Sequence, residues 1–381
     1  MSEYKVLILT APSGHMTLAR AVQSFLEDIP GVSIRTIDLV GDRPEWDLFR
    51  FLYRYSPFLM KIPFVLTRNR SILQVIKNTN LRRYQAKLVA ILEAEDPDLV
   101  ITTYHGYIPI LDQVRGRFRF KYINPISDPV SLHPILFSHA ADYNIGFDEA
   151  CQDFGRRLMI PRERIMPCGW FTSRRFFEAQ PVARIRKELG LRDQLTLMVC
   201  AGSEGNNAVL SLLPALLLMK HPRSFQIIFV IGHNPRLVNA IRRYTKMAAW
   251  LNPRLPAMVL KGFTDRMNEY IAVSDVVIGK AGPNLIFESV ARRKPFIAIS
   301  HISGNEDGNL GMIKEYNLGW VAENPFTAGK LIKDIIADPG ILQPKRGDLE
   351  KMSRKCYAGG MFLRERVLEW NRKSSLSETA S

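Results

Sequence analysis

Short apolar runs alternate with amphipathic stretches along this chain, and the alternation starts twice in the same way. Lys5-Val6-Leu7-Ile8-Leu9-Thr10 is the kind of run that forms a strand buried on both faces. A turn of small residues, Ala11-Pro12-Ser13-Gly14, follows it, and then a helical pattern over about 15–27. The second half opens with Leu195-Thr196-Leu197-Met198-Val199-Cys200, the turn Ala201-Gly202-Ser203-Glu204-Gly205 and a helical pattern over 207–220. Further strand candidates fall at 33–40, 98–104, 120–126 and 143–147, and then at 226–232, 257–262, 276–279, 296–300 and 320–323. Strands separated by helical patterns predict an α/β protein of two Rossmann-like, doubly wound domains facing across a cleft. The expected boundaries are 1–178 for the first domain and 179–356 for the second. A helix over 357–373 is expected to cross back to the first domain, ahead of a disordered tail at 374–381.

Residues 43–87 break the alternation. Arg43, Arg50, Arg54, Lys61, Arg68, Arg70, Lys77, Arg82, Arg83 and Lys87 face only Glu45 and Asp47 in charge count. Trp46, Phe49, Phe51, Tyr53, Tyr55, Phe58 and Phe64 are interleaved with them. Cations mixed with large aromatics are what an interfacial membrane-binding segment needs, and Trp46, Arg50, Arg54, Phe58 and Lys61 are the candidates for that contact. A helix pair packed on the domain with its cations in water explains the same pattern, and nucleic-acid binding is a third reading.

Composition sharpens the choice. The chain has 52 Lys and Arg against 37 Asp and Glu, a net charge of +15, which implies an anionic partner. Hydrophobic residues make up 46%, and no run approaches the ~20 apolar residues of a membrane span. The N-terminus enters a strand directly, so the expected location is cytoplasmic, peripheral on a membrane. Cys151, Cys168, Cys200 and Cys356 have no paired ligand spacing, which argues against a disulfide framework or structural zinc.

The stretch from Ile278 to Asn309 carries the most chemistry. It reads as a strand, the turn Gly279-Lys280-Ala281-Gly282-Pro283, a helix, a second strand and the polar loop Ser303-Gly304-Asn305-Glu306-Asp307-Gly308-Asn309. Asn284 is a candidate cap for a helix starting near Leu285. Both polar segments leave the C-terminal ends of strands, where open α/β sheets bind ligands. An anion, a hydroxylated ring and a polyol suit these groups in turn, a combination found in a nucleotide-sugar. Glu288, inside the helix, is placed to accept ribose hydroxyls or else is an exposed helix glutamate. Lys280 either adds charge for phosphates or pairs with Glu288 or Glu306. The turn Gly202, Ser203, Glu204 and Gly205 lets backbone amides approach a diphosphate, or is a structural turn only.

His15 sits in the first turn of its helix, where the positive end of the macrodipole disfavours imidazolium. A neutral imidazole is what a general base requires, although a histidine that packs or caps locally fits the same position. Asp128 follows a strand end and either orients His15, contacts an acceptor or caps the next segment. His105, Gly14 and His133 are candidates for the acceptor side. Asp96-Pro97-Asp98 looks like a metal-binding acidic pair, but it precedes a strand and therefore lies at the edge of the sheet opposite the ligand side. No metal site and no permanently bound cofactor are expected.

These motifs, in order, resemble those of the glycolipid glycosyltransferases that include monogalactosyldiacylglycerol synthase and the bacterial diacylglycerol glucosyltransferases, relatives of the lipid I N-acetylglucosaminyltransferase. The resemblance runs over nearly the whole chain. It is carried by Ser13-Gly14-His15, Ser127-Asp128-Pro129 with His133-Pro134, Gly169, Gly202-Ser203-Glu204-Gly205, Lys261-Gly262-Phe263, Lys280-Ala281-Gly282-Pro283 with Glu288, and Gly304-Asn305-Glu306-Asp307-Gly308-Asn309. It implies a GT-B fold and inverting transfer of a hexosyl group from a UDP-sugar to a membrane lipid hydroxyl, with diacylglycerol the leading acceptor and His15 the base. It further implies Gly202 to Gly205 at the diphosphate, Phe263, Thr264 and Met267 near the base, and Glu288 on the ribose. Asn305, Glu306 and Asn309 would lie near the sugar or its phosphates. The family's sugar loop usually begins Gly-Gln-Glu, whereas this chain has Gly304-Asn305-Glu306, one methylene shorter at the second position.

Two other classes compete. A nonhydrolysing UDP-sugar epimerase has a similar two-domain shape but no use for the 43–87 segment. A non-catalytic nucleotide-sugar-binding protein would not need His15, Glu204, Glu288 and Glu306 together.

Overall fold

The computed structural model describes residues 3–41, 51, 59, 61–66, 70–219 and 223–379. The chain divides into two compact units, one of residues 1–46, 62–175 and 355–381 and the other of 47–61 and 176–354.

The first unit holds a six-stranded parallel sheet of β1 (Tyr4–Thr10), β2 (Val32–Asp38), β3 (Leu99–Thr102), β4 (Lys121–Pro125), β5 (Tyr143–Gly146) and β6 (Ile165–Pro167), in the order β2-β1-β3-β4-β5-β6. Its helices are α1 (Gly14–Gln23), α2 (Lys61–Leu66), α3 (Arg70–Glu95), α4 (Ile108–Val114) and α5 (Glu149–Arg157). Leu7, Leu9 and Val100 of the sheet pack with Tyr84, Leu88 and Leu92 of α3 and with Tyr107, Ile110 and Leu111 at α4. The run Val6 to Thr10 is buried on both faces because helices cover both sides of a parallel sheet, and only Lys5 at its start is exposed. Strand β6 has no counterpart in the sequence reading: three residues ending in Pro167 give no periodicity to detect.

The second unit holds β7 (Thr196–Cys200), β8 (Gln226–Val230), β9 (Ala257–Lys261), β10 (Val276–Lys280), β11 (Phe296–Ser300) and β12 (Gly319–Val321), all parallel, in the order β12-β11-β10-β7-β8-β9. Around it lie α6 (Val182–Glu188), α7 (Pro235–Leu251), α8 (Met267–Ala272), α9 (Pro283–Ala291), α10 (Asp307–Glu315) and α11 (Pro325–Ala337). The core joins Val199, Ile227, Phe229 and Ile278 of the sheet to Leu237 and Ile241 of α7 and to Ile332 and Ile336 of α11.

Two expected helices take different forms. The stretch 207–220 is a 3₁₀ segment, Asn207–Leu212, followed by a π turn, Pro214–Leu218. Pro214 lacks the amide that a continuous α-helix would need there. The C-terminal helix α12 runs Arg346–Thr379, starting before 357 and continuing through positions expected to be a disordered tail. It packs closely on the first unit at Gly359, where a Cβ would lie 2.1 Å from the Cys168 carbonyl oxygen. Leu363 and Val367 are buried there, and Trp370 stacks on Tyr143.

Candidate functional site

Each sheet has a switch point where successive strands lie on opposite sides of the first one, and the loops there gather the site residues. In the first unit this point falls between β1 and β3, paired in parallel from Val6 and Leu99 onward. Ser13, at φ 63° and ψ −123°, ends the turn after β1 and starts α1, which puts His15 in its first turn. The His15 Nδ1–H donates to the Thr103 carbonyl at 2.7 Å, just beyond the end of β3. Thr103 Oγ1 in turn lies 3.1 Å from the His15 carbonyl and 2.8 Å from Thr10 Oγ1. A carbonyl only accepts, so Nδ1 must carry the proton and Nε2 is left with its lone pair.

The rings of Tyr104 and His105 stand 5.1 and 5.8 Å from that of His15. Burial pushes the His15 pKa down to about 4 against the opposing pull of the Thr103 carbonyl. Burial also pushes His105 down to about 3, helped by the nearby His15 and His133. Both rings are therefore neutral at pH 7. His105 Nδ1 is buried with no hydrogen-bond partner among the described residues. His133, buried, accepts the Ile135 amide at 3.2 Å. Asp128 accepts the amides of Val130 and Ser131 at 3.3 and 2.9 Å, the capping turn that was one of its alternatives. Gly14 is the exposed first residue of α1.

At the edge opposite these loops, Asp98 Oδ2 accepts the Lys5 amide at 2.8 Å, fixing the entry into β1. The acidic pair at 96–98 is thus a turn, with Asp96 at φ 41°. Among the described residues no group of His, Cys, Asp and Glu is arranged to hold a metal ion.

In the second unit the switch point lies between β7 and β10. The turn after β7 carries Gly202 and Gly205 at φ 77° and 72°, with the Gly205 amide donating to the Gly202 carbonyl at 3.2 Å. The loop after β8 holds this turn in place. The His233 amide donates to the Ser203 carbonyl at 2.8 Å, and Asn234 Nδ2 donates to the Gly205 carbonyl at 2.8 Å. Gly232 has φ 70°, and a Cβ there would meet the Gly202 and Ser203 carbonyl oxygens at 2.2 and 2.3 Å. Only glycine fits this contact. The His233 ring stacks on Phe263 at 4.1 Å and 24°, forming a half-exposed aromatic face after β9. Thr264 Oγ1 accepts the Arg266 amide at 3.1 Å, and Met267 begins α8.

After β10, α9 begins at Pro283 with Gly282 as its cap and no side-chain capping bond, so Asn284 is not the cap expected for it. Pro283 starts the helix because its fixed φ suits the first helical position and its missing amide costs nothing there. Glu288, half-buried, lies one turn into α9. Lys280 and Glu306, one of its two expected partners, form an ion pair with side chains only 10% and 9% exposed. Glu306 also accepts the Ile302 amide at 2.7 Å. Asn309 is fully buried and its Nδ2 donates to the Ala281 carbonyl at 2.9 Å, tying the α10 start to the β10 turn. Its Oδ1, and the Oγ of Ser300, are buried without a partner among the described residues. Gly304, at φ 94°, donates its amide to Asp307 at 2.8 Å, while Asn305 is exposed at the loop tip.

Gly232, His233, His301 and Glu323 were not singled out from sequence. His301 bridges Glu323 at 2.6 Å and Asp307 at 3.0 Å, bracing the 303–309 loop. The Gly232-His233-Asn234-Pro235 turn after a strand was the available signal for the first two. Trp46, Arg50, Arg54 and Phe58 lie outside the described residues. Lys61 is exposed and 4.0 Å from Asp307, and it groups with the second unit. Phe51, Ile62, Val65 and Leu66 expose half or more of their surface.

Residues 196–310 match the family model of the glycosyltransferase family 28 C-terminal domain. A probable chloroplastic monogalactosyldiacylglycerol synthase of Glycine max is 24% identical over 376 residues, covering 92% of this chain and 68% of its own. A processive diacylglycerol beta-glucosyltransferase of Staphylococcus carnosus is 25% identical over 259 residues, covering 67% of this chain and 63% of its own. The chain thus spans about two thirds of the length of these relatives. A solved Staphylococcus aureus structure, MnaA with UDP, aligns at a TM-score of 0.59 with 12% identity, over 96% of this chain and 95% of that one. The chain has the two-domain α/β GT-B fold.

Proposed function

From a chain that resembles the monogalactosyldiacylglycerol synthases and diacylglycerol glucosyltransferases and has a glycosyltransferase family 28 C-terminal domain, we propose an inverting glycosyltransferase. It moves a hexosyl group from a UDP-sugar to the hydroxyl of a membrane lipid, with diacylglycerol the leading acceptor. The observation that carries the reading is the orientation of His15. Its Nδ1–H is held by the Thr103 carbonyl, its Nε2 is free of that bond, and burial keeps it neutral at pH 7.

In this reading His15 Nε2 takes the proton of the acceptor hydroxyl as its oxygen attacks the anomeric carbon. The bond from that carbon to the diphosphate breaks on the opposite face, and UDP leaves. The turn 202–205 receives the diphosphate charge on backbone amides. Phe263 with His233 offers a flat aromatic face for the uracil, and Glu288 accepts ribose hydroxyls. Lys280, neutralised by Glu306, orders the β10 turn more than it supplies free charge. The buried Asn309 Oδ1 and Ser300 Oγ lie beside that turn, polar groups suited to a hydroxylated donor. In this reading the protein sits peripherally on a membrane; no described helix is long and apolar enough to cross one.

The test is transfer of radiolabel from a panel of UDP-sugars into organic-extractable lipid, with diacylglycerol in anionic vesicles and the product resolved by mass spectrometry. Lipid-linked label supports the transferase. Interconversion of free UDP-sugars without lipid would establish an epimerase instead, and UDP binding without turnover would leave a binding protein.

A further inference from the structure

Helix α7 of the second unit has an outer face unlike the rest of that unit. Leu237, Ile241 and Ala248 are buried against the sheet, and Tyr244 packs on the same core. Flanking that buried stripe toward the helix end, Trp250 is 86% exposed, Leu251 56% and Met247 49%. Positions 247, 250 and 251 are one helical turn apart and share a face. A tryptophan this exposed is unusual on a surface that contacts only water.

The charge on this face is of one sign. Arg236, Arg242, Arg243 and Lys246 lie on α7 and Arg254 just beyond it, all exposed. The stretch 235–254 contains no Asp or Glu, and none of these five forms an ion pair with a described carboxylate. The patch extends past the helix end. Asn252 Nδ2 donates to the Leu217 carbonyl at 2.9 Å, which brings the exposed Met219 next to the same end.

We propose that the outer face of α7 is a docking surface for an anionic lipid bilayer, with Trp250, Leu251 and Met247 inserted at the headgroup boundary and the cations around them at the lipid phosphates. Charge complementarity selects an anionic partner, and the cluster of indole, thioether and leucine at one tip selects a bilayer over a nucleic acid. An aromatic side chain with an apolar body and one polar N–H suits the interface between headgroup and acyl chain. Cations within a Debye length of about 8–10 Å of an anionic surface add attraction that salt removes. The proposal uses no residue of the 43–87 segment and stands whether or not the transfer reading holds, because it concerns binding and not chemistry.

The experiment is flotation of the full chain with vesicles of phosphatidylcholine alone or with roughly a third phosphatidylglycerol, together with quenching of tryptophan fluorescence by brominated lipid. Three variants are compared: Trp250→Ser, the pair Arg243→Gln with Lys246→Gln, and Phe326→Ser as a control at another exposed aromatic of the second unit. Expected is a loss of at least fivefold in partition onto anionic vesicles for the first two, none for the control, and loss of most of the lipid quenching in Trp250→Ser. All these side chains are exposed, so circular dichroism and melting should match the parent. Unchanged partition and quenching in Trp250→Ser overturns the proposal. So does retention of the variants' deficit on RNA but not on vesicles, or a dimer that Trp250→Ser dissociates.

Discussion

The imidazole of His15 and the backbone carbonyl of Thr103 are joined by a 2.7 Å hydrogen bond that bridges the two loops at the first sheet's switch point. The bond decides which ring nitrogen can act. A histidine on a freely rotating loop would present either nitrogen; this one presents Nε2 in one tautomer. Replacing His15 by Ala should lower kcat for lipid glycosylation by 10²–10⁴-fold, the usual worth of a general base, with UDP affinity changed by less than about threefold. Single-turnover transfer and calorimetric UDP titration measure the two. Parental turnover in His15→Ala would remove it from the mechanism.

The acid limb of the rate profile follows from the same environment. With His15 at about 4, the base stays unprotonated well below neutrality. The profile of kcat/KM should therefore be flat from pH 8 down to about 5.5 and fall only below about pH 5, provided the donor diphosphate keeps its charge. An acid limb near pH 6.5 would show that the reacting histidine is not in the environment seen here.

Stability against acid is the converse effect. The folded-state pKa values of His15 and His105 lie below the ordinary 6.5, so between about pH 4 and 6.5 the unfolded chain binds more protons than the folded one. Stability must then fall as pH falls through that window. His105→Leu removes one of the two titrating rings together with the orphaned Nδ1. The loss of stability between pH 7.5 and 4.5 should shrink by about 2–3 kcal/mol in this variant, read from urea unfolding at each pH. An identical loss in the parent and the variant would defeat the assignment.

These predictions rest on elements that the sequence exposes unevenly. The runs at Lys5 to Thr10 and Leu195 to Cys200 were legible as strands because a doubly covered parallel strand is apolar on both faces. The position of His15 followed from the strand, turn and helix order alone. Its tautomer did not, because Thr103 is 88 residues away and contributes a backbone carbonyl that carries no sequence signal. The Lys280–Glu306 ion pair likewise shows only once the β10 and β11 loops are seen together. Asn284 was misread as a cap because Pro283, a strong first-turn residue, already started the helix. Gly232 and His233 escaped notice because their role lies in supporting another loop.

The Lys280–Glu306 pair should behave as a buried unit. Both side chains are about nine-tenths covered, so Lys280→Met leaves a carboxylate without its cation and should cost about 3–5 kcal/mol. Adding Glu306→Gln keeps an acceptor for the Ile302 amide and removes the unpaired charge. The double variant should recover at least about 1 kcal/mol relative to Lys280→Met, measured as the coupling in a double-mutant cycle of urea unfolding. Strict additivity of the two single losses would mean that the pair is not coupled.

Gly232→Ala probes the donor turn without touching any group proposed to meet the donor. The substitution adds one methyl at φ 70°, where a side chain is strained, and aims it at the Gly202 and Ser203 carbonyl oxygens. Backbone cannot rotate away as a side-chain tip would, so the turn itself must shift. Strain and displacement together should destabilise the unit by about 1–3 kcal/mol. The same shift moves the amides of 202–205 off their diphosphate positions, so UDP affinity should drop by tenfold or more in protein that is still folded at 20 °C. Uridine lacks the diphosphate and depends on the aromatic face of His233 and Phe263, so its weaker binding should fall by less. Calorimetric titration of UDP and of uridine against the folded variant makes the comparison. Equal losses for both would place the damage at the aromatic face, and unchanged UDP binding would show that the 202–205 turn does not hold the diphosphate.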